Sequence, residues 1–449
     1  MKKLRLRDGI FILLVALIHA VFFGLALHYG KFYNGDSYEY IQQAFNIKEH
    51  GFFYSGNMAL PISPELKTLR TPGYPLFLLG IYSLVVSNKL VLLVQNLISI
   101  LNILYARSFL LQMGYDKKYD WLLFVLVAAF PSQFVYANTV APDILLQSGA
   151  LLYFVAAILL LRTAAFRYLL RMSVVLTFAL FIKPVLYPFA AIHLFVVFGF
   201  VFRKKQDRLR MILTAFIPIA AIALYSFWNF QRTGKFHFTS IQSFNAIYYY
   251  HNFVSATQGI SKGRAFLDSI RSSVAEVPDF SDRYNKAHQI GVASLAQSPG
   301  AYLSFHLRKS LGFFFETGKG ELDIFTGKVT FSQIYSDQTI RFGQVVKQKS
   351  LPGVVEYLLS QPIAVIAILV LIFNVFKMVG VVSFLLLAHF RALEKWLFVL
   401  FILYFALITG PISNAHYVLP VSLLGSGFAV LGYAAFRKRR SVNKLNIVC

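Results

Sequence analysis

Long apolar runs, separated by short clusters of lysine and arginine, are the feature of this sequence that most restricts its fold. A run of about twenty apolar residues forms an α-helix long enough to cross the hydrocarbon core of a bilayer. Hydrophobic residues make up 57% of the 449 residues and charged residues only 14%, which is too apolar for the surface of a water-soluble protein. We therefore predict an all-α fold, a polytopic bundle of transmembrane helices.

The basic clusters determine the predicted orientation, because Lys and Arg are enriched on the cytoplasmic side of membrane proteins. The clusters lie at 117–118, 162–171, 203–210, 391–395 and 437–444. Placing them inside gives about ten spans with both termini in the cytoplasm. The expected spans are 9–29, 91–112, 119–137, 142–161, 172–187, 188–202, 211–230, 362–390, 396–411 and 417–436. The clusters also explain the net charge of +24 through contacts with membrane lipids, so no nucleic-acid partner is expected.

Three apolar segments admit two interpretations each. Segment 72–86 is interpreted as an interfacial or re-entrant helix, because a full crossing there would reverse the side of every later loop. Segment 362–390 carries Lys377 at its middle, and one long tilted helix is favoured over a hairpin that would place 437–440 outside. The first run, 10–27, resembles a signal peptide but is long enough to span, so we interpret it as an uncleaved anchor.

The predicted spans divide the chain into three parts. Residues 1–230 form an N-terminal transmembrane module with a first extracytoplasmic loop at 30–71. Residues 231–361 form a large extracytoplasmic loop with interfacial helices, such as one at 301–315, since a connection of this length needs its own structure. Residues 362–449 form a C-terminal transmembrane module with a basic cytoplasmic tail. The single cysteine, Cys449, excludes disulfides within the chain and Cys-based metal sites.

Asp36 is the first candidate catalytic residue, because it places a carboxylate directly outside the first span. A helix that begins there would align Asp36, Tyr40, Gln43 and Ile47 on one face. The alternative is structural, since Asp followed three residues later by Glu39 is a capping-box pattern worth about 1 kcal/mol. The two roles are compatible: a capping aspartate stays ionised at the helix N-terminus and can still accept a proton.

Arg70 is the second candidate, in the segment Leu69-Arg70-Thr71-Pro72-Gly73-Tyr74-Pro75. An arginine at the level of the lipid headgroups is suited to clamp a phosphate through its charge and paired donors. The alternative is that Arg70 only anchors the interfacial helix to headgroup phosphates.

Five further polar residues are candidates, four near predicted span ends and His251 in the second loop, and each has a structural alternative. Asp143 either interacts favourably with the dipole at its helix N-terminus or faces a cavity as a second acid. Lys183 is a functional candidate within an apolar run, or it snorkels to the nearby surface. His251 follows three tyrosines that suit either a sugar ring or an interfacial aromatic belt, and His416 and Tyr417 begin the last span as site residues or as an anchor.

The ordered set of motifs resembles the GT-C glycosyltransferases, especially the protein O-mannosyltransferase and aminoarabinose transferase-like group. The set includes Asp36 with its following tyrosines, and the Arg70-to-Pro75 segment. Further along the chain, the similar pieces are Phe130-Pro131 to Asp143, Lys183-Pro184, Trp228-Asn229 through Gly234-Lys235, Phe244-Asn245, His251-Asn252-Phe253, 296–309 and His416-Tyr417-Val418-Leu419-Pro420. The motifs cover most of the chain. Where the family often has an acidic pair this chain has Asp36-Ser37, and His416 stands where arginine is usual.

This resemblance implies an inverting enzyme that transfers a sugar from a polyprenyl-phosphate donor, such as undecaprenyl phosphate, to a hydroxyl acceptor on a glycan, lipid or protein. Asp36 would be the base. Arg70 would be the first choice for phosphate contact, with Lys183 and Arg232 behind it. The remaining substrate-binding candidates are Glu39, Tyr74, Asp143, His251, His416 and Tyr417. No cofactor is implied with certainty: a divalent metal is possible in the family, but the Asp36-Ser37 departure gives it no support.

Two other functions are compatible with the same pattern. A flippase or transporter for lipid-linked sugars would use its buried charges along a pathway and would need no base. An O-antigen polymerase or ligase would concentrate its catalytic residues in a late loop. The chain contains no Asn-x-Ser/Thr sequon, which agrees with a bacterial origin. We expect a multi-pass protein of the bacterial cytoplasmic membrane with its active site facing outside.

Overall fold

The computed structural model describes residues 2–201, 207–329, 350–412 and 414–448, and within these ranges it contains helices and connecting turns but no β-strand. Seven helices are long and apolar enough to cross a membrane. They are Arg7–Tyr29, Asn88–Gln112, Asp143–Thr163, Arg208–Thr233, Pro362–Leu387, Ala392–Thr409 and Ala415–Arg439. The prediction of an all-α, multi-pass membrane protein is confirmed. Part of the second predicted loop (330–349), part of the basic cluster at 203–210, and Cys449 lie outside the described residues.

Three of the ten predicted spans correspond to shorter apolar helices. These predicted spans are 119–137, 172–187 and 188–202, and the helices found there are Asp120–Ala128, Ser132–Ala137, Phe166–Ile182 and Phe189–Val201. Pro131 separates the first two, and Pro184 follows the end of the third, because proline disrupts a continuing helix. Seven of the ten predicted spans thus match helices long and apolar enough to cross, and crossing by the other three stays a prediction.

Two of the three ambiguous apolar segments are resolved at the level of secondary structure. Pro362–Leu387 is one continuous helix of 26 residues, as favoured from the sequence. Gly73–Tyr82 is a helix of 10 residues. At 1.5 Å per residue it is about 15 Å long, which is half the thickness of the hydrocarbon core. This helix is therefore too short to cross.

Two helices form the centre of the bundle. In Asp143–Thr163 and Ala415–Arg439, 67% and 72% of the apolar segment is buried, against 22–44% in the other five long helices. The last helix crosses Pro362–Leu387 at very short range: a Cβ on Gly432 would lie 1.9 Å from the Gly380 carbonyl oxygen. Small residues at such crossings allow the close backbone packing that holds membrane helices together.

Ion pairs tie the helices together at their predicted cytoplasmic ends. The Arg107 guanidinium binds Asp120 with two hydrogen bonds, of 2.9 and 2.7 Å, and binds Asp8 at 2.6 Å. The Arg162 guanidinium donates to both carboxylate oxygens of Glu394, at 2.7 and 3.1 Å. Bidentate pairs of this kind fix the register of neighbouring helices. The candidate catalytic residues lie at the opposite ends of these helices.

The two predicted outer loops are themselves helical. The first contains Ser37–His50 and Pro64–Thr68. The second contains Ser240–Phe244, Asn245–Gln258, Ile260–Ala275, Phe280–Ala296, Pro299–Gly312, Phe313–Phe315, Lys319–Phe325 and Leu351–Ser360. Short 3-10 turns at Lys117–Tyr119 and Pro184–Leu186 complete the described elements. Three helices of the second loop share a small core of Ile247, Leu267, Val274 and Ala287, so this loop has its own packed structure.

Contacts between the loops hold them as one assembly. The Arg283 side chain of the second loop binds the Glu65 carboxylate of the first, with Nε and Oε1 2.6 Å apart. The buried Thr68 hydroxyl and His237 Nε2 lie 2.8 Å apart. The Ser240 hydroxyl donates to the Glu65 carbonyl oxygen at 2.8 Å. These links place the second loop beside the carboxylates of the first.

Candidate active site

Asp36 and Glu39 share one cation, Arg70. Arg70 Nη2 lies 2.7 Å from Asp36 Oδ1, and Nη1 donates to Asp36 Oδ2 at 3.1 Å. Arg70 Nε donates to Glu39 Oε2 at 2.6 Å. Helix Ser37–His50 begins directly after Asp36, but the Asp36 side chain makes no capping hydrogen bond to its backbone. The capping interpretation of Asp36 is therefore wrong, because Arg70 takes both of its carboxylate oxygens.

The position of Arg70 depends on the short helix that follows it. A Cβ on Gly73 would lie 2.6 Å from the carbonyl carbon and oxygen of Phe181, so only glycine permits this approach to the end of Phe166–Ile182. The Arg70 guanidinium lies 5.1 Å from the Tyr40 ring, within the range of a cation–π contact. Tyr74 packs edge-on against Tyr40, with ring centroids 5.1 Å apart. These contacts hold Arg70 beside the first-loop helix.

Asp36 and Glu39 differ in their access to solvent. The Asp36 side chain is 51% exposed and that of Glu39 is 29% exposed, while Arg70 beneath them is 15% exposed. Burial raises the pKa of Glu39, and the neighbouring Arg70 partly opposes that rise. Asp36 is therefore the carboxylate of this pair that an incoming substrate meets first.

Asp143 and Lys183 form a second ion pair. Lys183 Nζ donates to Asp143 Oδ1 at 2.7 Å, and the two side chains are only 14% and 2% exposed. The Lys183 ammonium also lies 5.1 Å from the centre of the Tyr417 ring. Lys183 therefore points inward to a carboxylate instead of snorkelling outward. Asp143 binds this lysine in addition to any interaction with the dipole of its own helix.

His416 and Tyr417 lie in the first turn of the last helix and complete this group. His416 Nδ1 lies 3.4 Å from the Tyr136 hydroxyl, and the two rings pack edge-on with centroids 5.9 Å apart. Tyr136 belongs to Ser132–Ala137, the helix that Pro131 separates from its neighbour. The break in span 119–137 thus brings an aromatic hydroxyl to the site.

Two cavities meet at Asp36, His416 and Tyr417, which line both. The larger cavity has a volume of about 530 Å³ and contains Glu39, Arg70 and Lys183 in its wall. Its other lining residues include the rings and aliphatic side chains of Tyr187, Tyr248, Tyr249, Val185, Ile408 and Ile412. The smaller cavity has a volume of about 240 Å³, and its polar lining residues include Lys31, Tyr33, Asn34, Glu321 and Asn414.

Glu321 is a site residue that the sequence did not reveal. It lies in helix Lys319–Phe325 of the second loop, and its Oε1 accepts a hydrogen bond from the Ala415 N–H at 3.1 Å. Burial, reinforced by the nearby Glu316 carboxylate, raises the pKa of Glu321 to about 7. The flanking Gly318 and Gly320 signal a turn in the sequence, but nothing there indicates that the turn lies close to Asp36.

Four predicted site residues do not line either cavity. One of them is Asp143, which is connected to the larger cavity only through Lys183. The Tyr74 ring is fully buried and its hydroxyl donates to Gln95 Oε1 at 2.7 Å. The Arg232 guanidinium stacks 3.5 Å from the Trp228 ring and donates to the Phe53 carbonyl oxygen at 3.4 Å. His251 lies beside Ser255, with Nε2 and Oγ 3.5 Å apart. The tyrosines before it, Tyr248 and Tyr249, do line the larger cavity.

Metal-binding groups are sparse in the described part of the chain. It contains no cluster of three or more His, Cys, Asp or Glu side chains that could hold a metal ion. Asp36 and Glu39 are two neighbouring carboxylates, but Arg70 already neutralises one of their charges.

No protein-family model matches this chain, and no curated protein or solved structure is significantly similar to it.

Proposed function

We propose that this chain is an inverting GT-C-type glycosyltransferase that moves a sugar from a polyprenyl-phosphate donor to a hydroxyl acceptor. One observation carries the proposal: the Asp36 carboxylate, held by Arg70, lies where two cavities meet. The wall of the larger cavity includes Lys183 and aliphatic side chains, and that of the smaller one includes Tyr33, Asn34 and Glu321. A transferase with two substrates needs a base between them that reaches both. A transporter needs no base, and its site would lie near the bilayer midplane rather than at the helix ends.

The larger cavity suits the donor. Lys183 supplies a positive charge for the phosphate, and the aliphatic residues Val185, Ile408 and Ile412 suit the lipid chain. Of the two cations in its wall, Arg70 already directs Nε, Nη1 and Nη2 to carboxylates. Lys183 pairs with the Asp143 carboxylate through one of its three ammonium hydrogens. Lys183 is therefore the main phosphate contact, and Arg70 positions Asp36.

The reaction follows from this placement. The acceptor hydroxyl enters from the smaller cavity and loses its proton to the Asp36 carboxylate as its oxygen attacks the anomeric carbon of the donor. The bond between that carbon and the phosphate oxygen breaks, and the leaving lipid phosphate takes the electron pair. Lys183 stabilises the negative charge that develops on the phosphate. A single displacement inverts the configuration at the anomeric carbon.

The topology completes the proposal. If the shorter helices at 120–137, 166–182 and 189–201 also cross, tilted or in protein-lined surroundings, the chain has ten crossings. The Arg107 and Arg162 ion pairs then lie in the cytoplasm, and Asp36, Arg70 and Lys183 lie outside. We place the protein in the bacterial cytoplasmic membrane, where undecaprenyl phosphate carries sugars to the outer face.

Transfer by the purified protein in nanodiscs tests this function. The assay supplies undecaprenyl-phosphate-linked glucose, mannose, aminoarabinose and N-acetylglucosamine, with release of undecaprenyl phosphate as the readout. We expect turnover of at least one donor and inverted product. Failure with every donor, together with movement of a fluorescent lipid-linked sugar across proteoliposome membranes, would replace the enzyme with a flippase.

A further inference from the structure

The smaller cavity brings together more polar groups than one acceptor hydroxyl can use. Besides Asp36, its wall contains Lys31, Tyr33, Asn34, Glu321 and Asn414. Part of their hydrogen-bonding capacity is used within the protein: Asn88 donates to the Tyr33 hydroxyl oxygen at 2.9 Å, and the Ala415 N–H donates to Glu321 Oε1 at 3.1 Å. The Tyr33 hydroxyl still has a hydrogen to donate, and Glu321 has a second carboxylate oxygen to accept. Converging polar groups of this kind favour a ligand with several hydroxyls, because an alcohol with a single hydroxyl, such as a serine side chain, contacts fewer of them.

Glu321 is held firmly in this wall. Its helix starts after Gly318, which has φ of +67° and is so close to Ser132 that a Cβ would lie 2.1 Å from the Ser132 hydroxyl oxygen. Leu322 and Phe325 of the same helix are buried in a cluster with residues of the bundle. The Glu321 backbone therefore has little freedom to move away from the cavity.

The charges around Glu321 do not explain its presence. None of the ion pairs among the described residues includes Glu321. Besides burial, the acids Glu316 and Asp143 raise its pKa, and the basic residues Lys31 and His416 line the same cavity without forming an ion pair with Glu321. Its hydrogen bond from the Ala415 N–H caps the last helix, but serine, asparagine or glutamine can also cap a helix without burying a charge. Keeping an ionisable carboxyl at this position costs desolvation free energy, so its presence indicates that it binds a ligand.

We propose that the smaller cavity binds a sugar unit as the acceptor, and that Glu321 binds it by accepting a hydrogen bond from a hydroxyl adjacent to the one that reacts at Asp36. This inference rests on the proposed glycosyl transfer and specifies its acceptor: a polyhydroxylated ring rather than a serine or threonine side chain. The ionised carboxylate accepts the stronger hydrogen bond. Acceptor affinity therefore rises as pH increases through the Glu321 titration.

Glu321→Gln separates ligand binding from capping. The glutamine amide oxygen can still accept the Ala415 N–H, so the helix start is kept while the charge is lost. The matched control is Glu316→Gln: Glu316 is a neighbouring acid that lines a different cavity and accepts hydrogen bonds from the Thr317 and Gly318 N–H groups. Thermal unfolding of both variants checks that each is folded.

The experiment measures donor turnover between pH 6 and 8 with methyl glycosides of common hexoses and with serine- or threonine-containing tripeptides as acceptors. We expect a glycoside to be glycosylated, with an acceptor KM that falls as pH rises. Glu321→Gln should raise that KM about tenfold and remove its pH dependence, with the donor KM changed less than twofold. Glu316→Gln should keep the wild-type acceptor KM at pH 8, but its KM should fall at lower pH than in wild type, because loss of the Glu316 charge lowers the pKa of Glu321. Three results would overturn the inference: transfer only to peptides, no acceleration of turnover by any glycoside, or an unchanged acceptor KM in Glu321→Gln. Each of them would leave donor turnover, and hence the proposed function, intact. A wild-type protein without any donor turnover would remove both.

Discussion

Replacing Arg70 by methionine tests whether one cation holds both first-loop carboxylates. The change removes the contacts of Nη1 and Nη2 with Asp36 and of Nε with Glu39, and leaves two like charges side by side. Removing one partner of a buried ion pair costs about 3–5 kcal/mol. Because the Asp36 side chain is 51% exposed and stays hydrated, we expect Arg70→Met to lose about 3 kcal/mol of unfolding free energy, mostly through Glu39.

The loss should depend on pH in a definite direction. Burial already raises the pKa of Glu39, and Arg70 is the group that opposes the rise. Without Arg70 the pKa of Glu39 rises further, so protonation at low pH relieves the unpaired charge. The loss of unfolding free energy in Arg70→Met, compared with wild type, is therefore smaller at pH 5 and grows as pH increases to 8.

Reversible unfolding in mixed dodecylmaltoside and SDS micelles, followed by tryptophan fluorescence, measures both effects. Glu39→Gln combined with Arg70→Met should recover part of the stability and lose the pH dependence, since the buried charge is gone. An Arg70→Met protein as stable as wild type at pH 8, or one equally destabilised at pH 5 and 8, would refute the reasoning.

Two further predictions concern the neighbours of Arg70. A Cβ at Gly73 would lie 2.6 Å from the Phe181 backbone, so Gly73→Ala should displace Arg70 and reduce donor turnover at least about tenfold. The control is Gly80→Ala in the same helix, where a Cβ meets no atom within 4 Å and turnover should stay at the wild-type rate. Equal rates for the two variants would contradict this prediction. Lys183→Met should destabilise the fold by about 3 kcal/mol, because it leaves the buried Asp143 charge unpaired. Lys183→Met should also raise the donor KM about tenfold or more, because the lysine contact with the phosphate is lost. Adding Asp143→Asn should restore the stability but leave the donor KM raised. A normal donor KM in the double variant would exclude Lys183 from phosphate binding.

The sequence predicted the membrane fold well because its main signal is local. An apolar run long enough to span determines a helix with little help from the rest of the chain, and the interruption at Lys377 did not change that. The prediction failed to give helix lengths where proline intervenes. Pro131 divides span 119–137 into two short helices, and the second of these brings Tyr136 to His416.

The site was less predictable, because it depends on contacts between distant parts of the chain. Asp36 and Arg70 were both selected from the sequence, but their pairing depends on the docking of Gly73 against Phe181, which no periodicity encodes. Glu321 is held near Asp36 by the packing of the second loop, and its local sequence has no catalytic pattern. Arg232 was selected as a phosphate contact through the family resemblance, but in the structure its guanidinium stacks on the Trp228 ring instead.

The single-turnover rate of Asp36→Asn tests the central claim most directly. Asparagine keeps the size of the side chain but cannot take a proton, and it loses the ion pair with Arg70. The control is Asp279→Asn, which alters an aspartate that does cap its helix, through a hydrogen bond from the Asp282 N–H, in the second loop. General-base catalysis contributes about 10²–10⁴-fold, so we expect Asp36→Asn to lose at least about 100-fold in transfer rate while folding normally, and Asp279→Asn to retain the wild-type rate. An Asp36→Asn protein that transfers sugar at the wild-type rate would contradict the account.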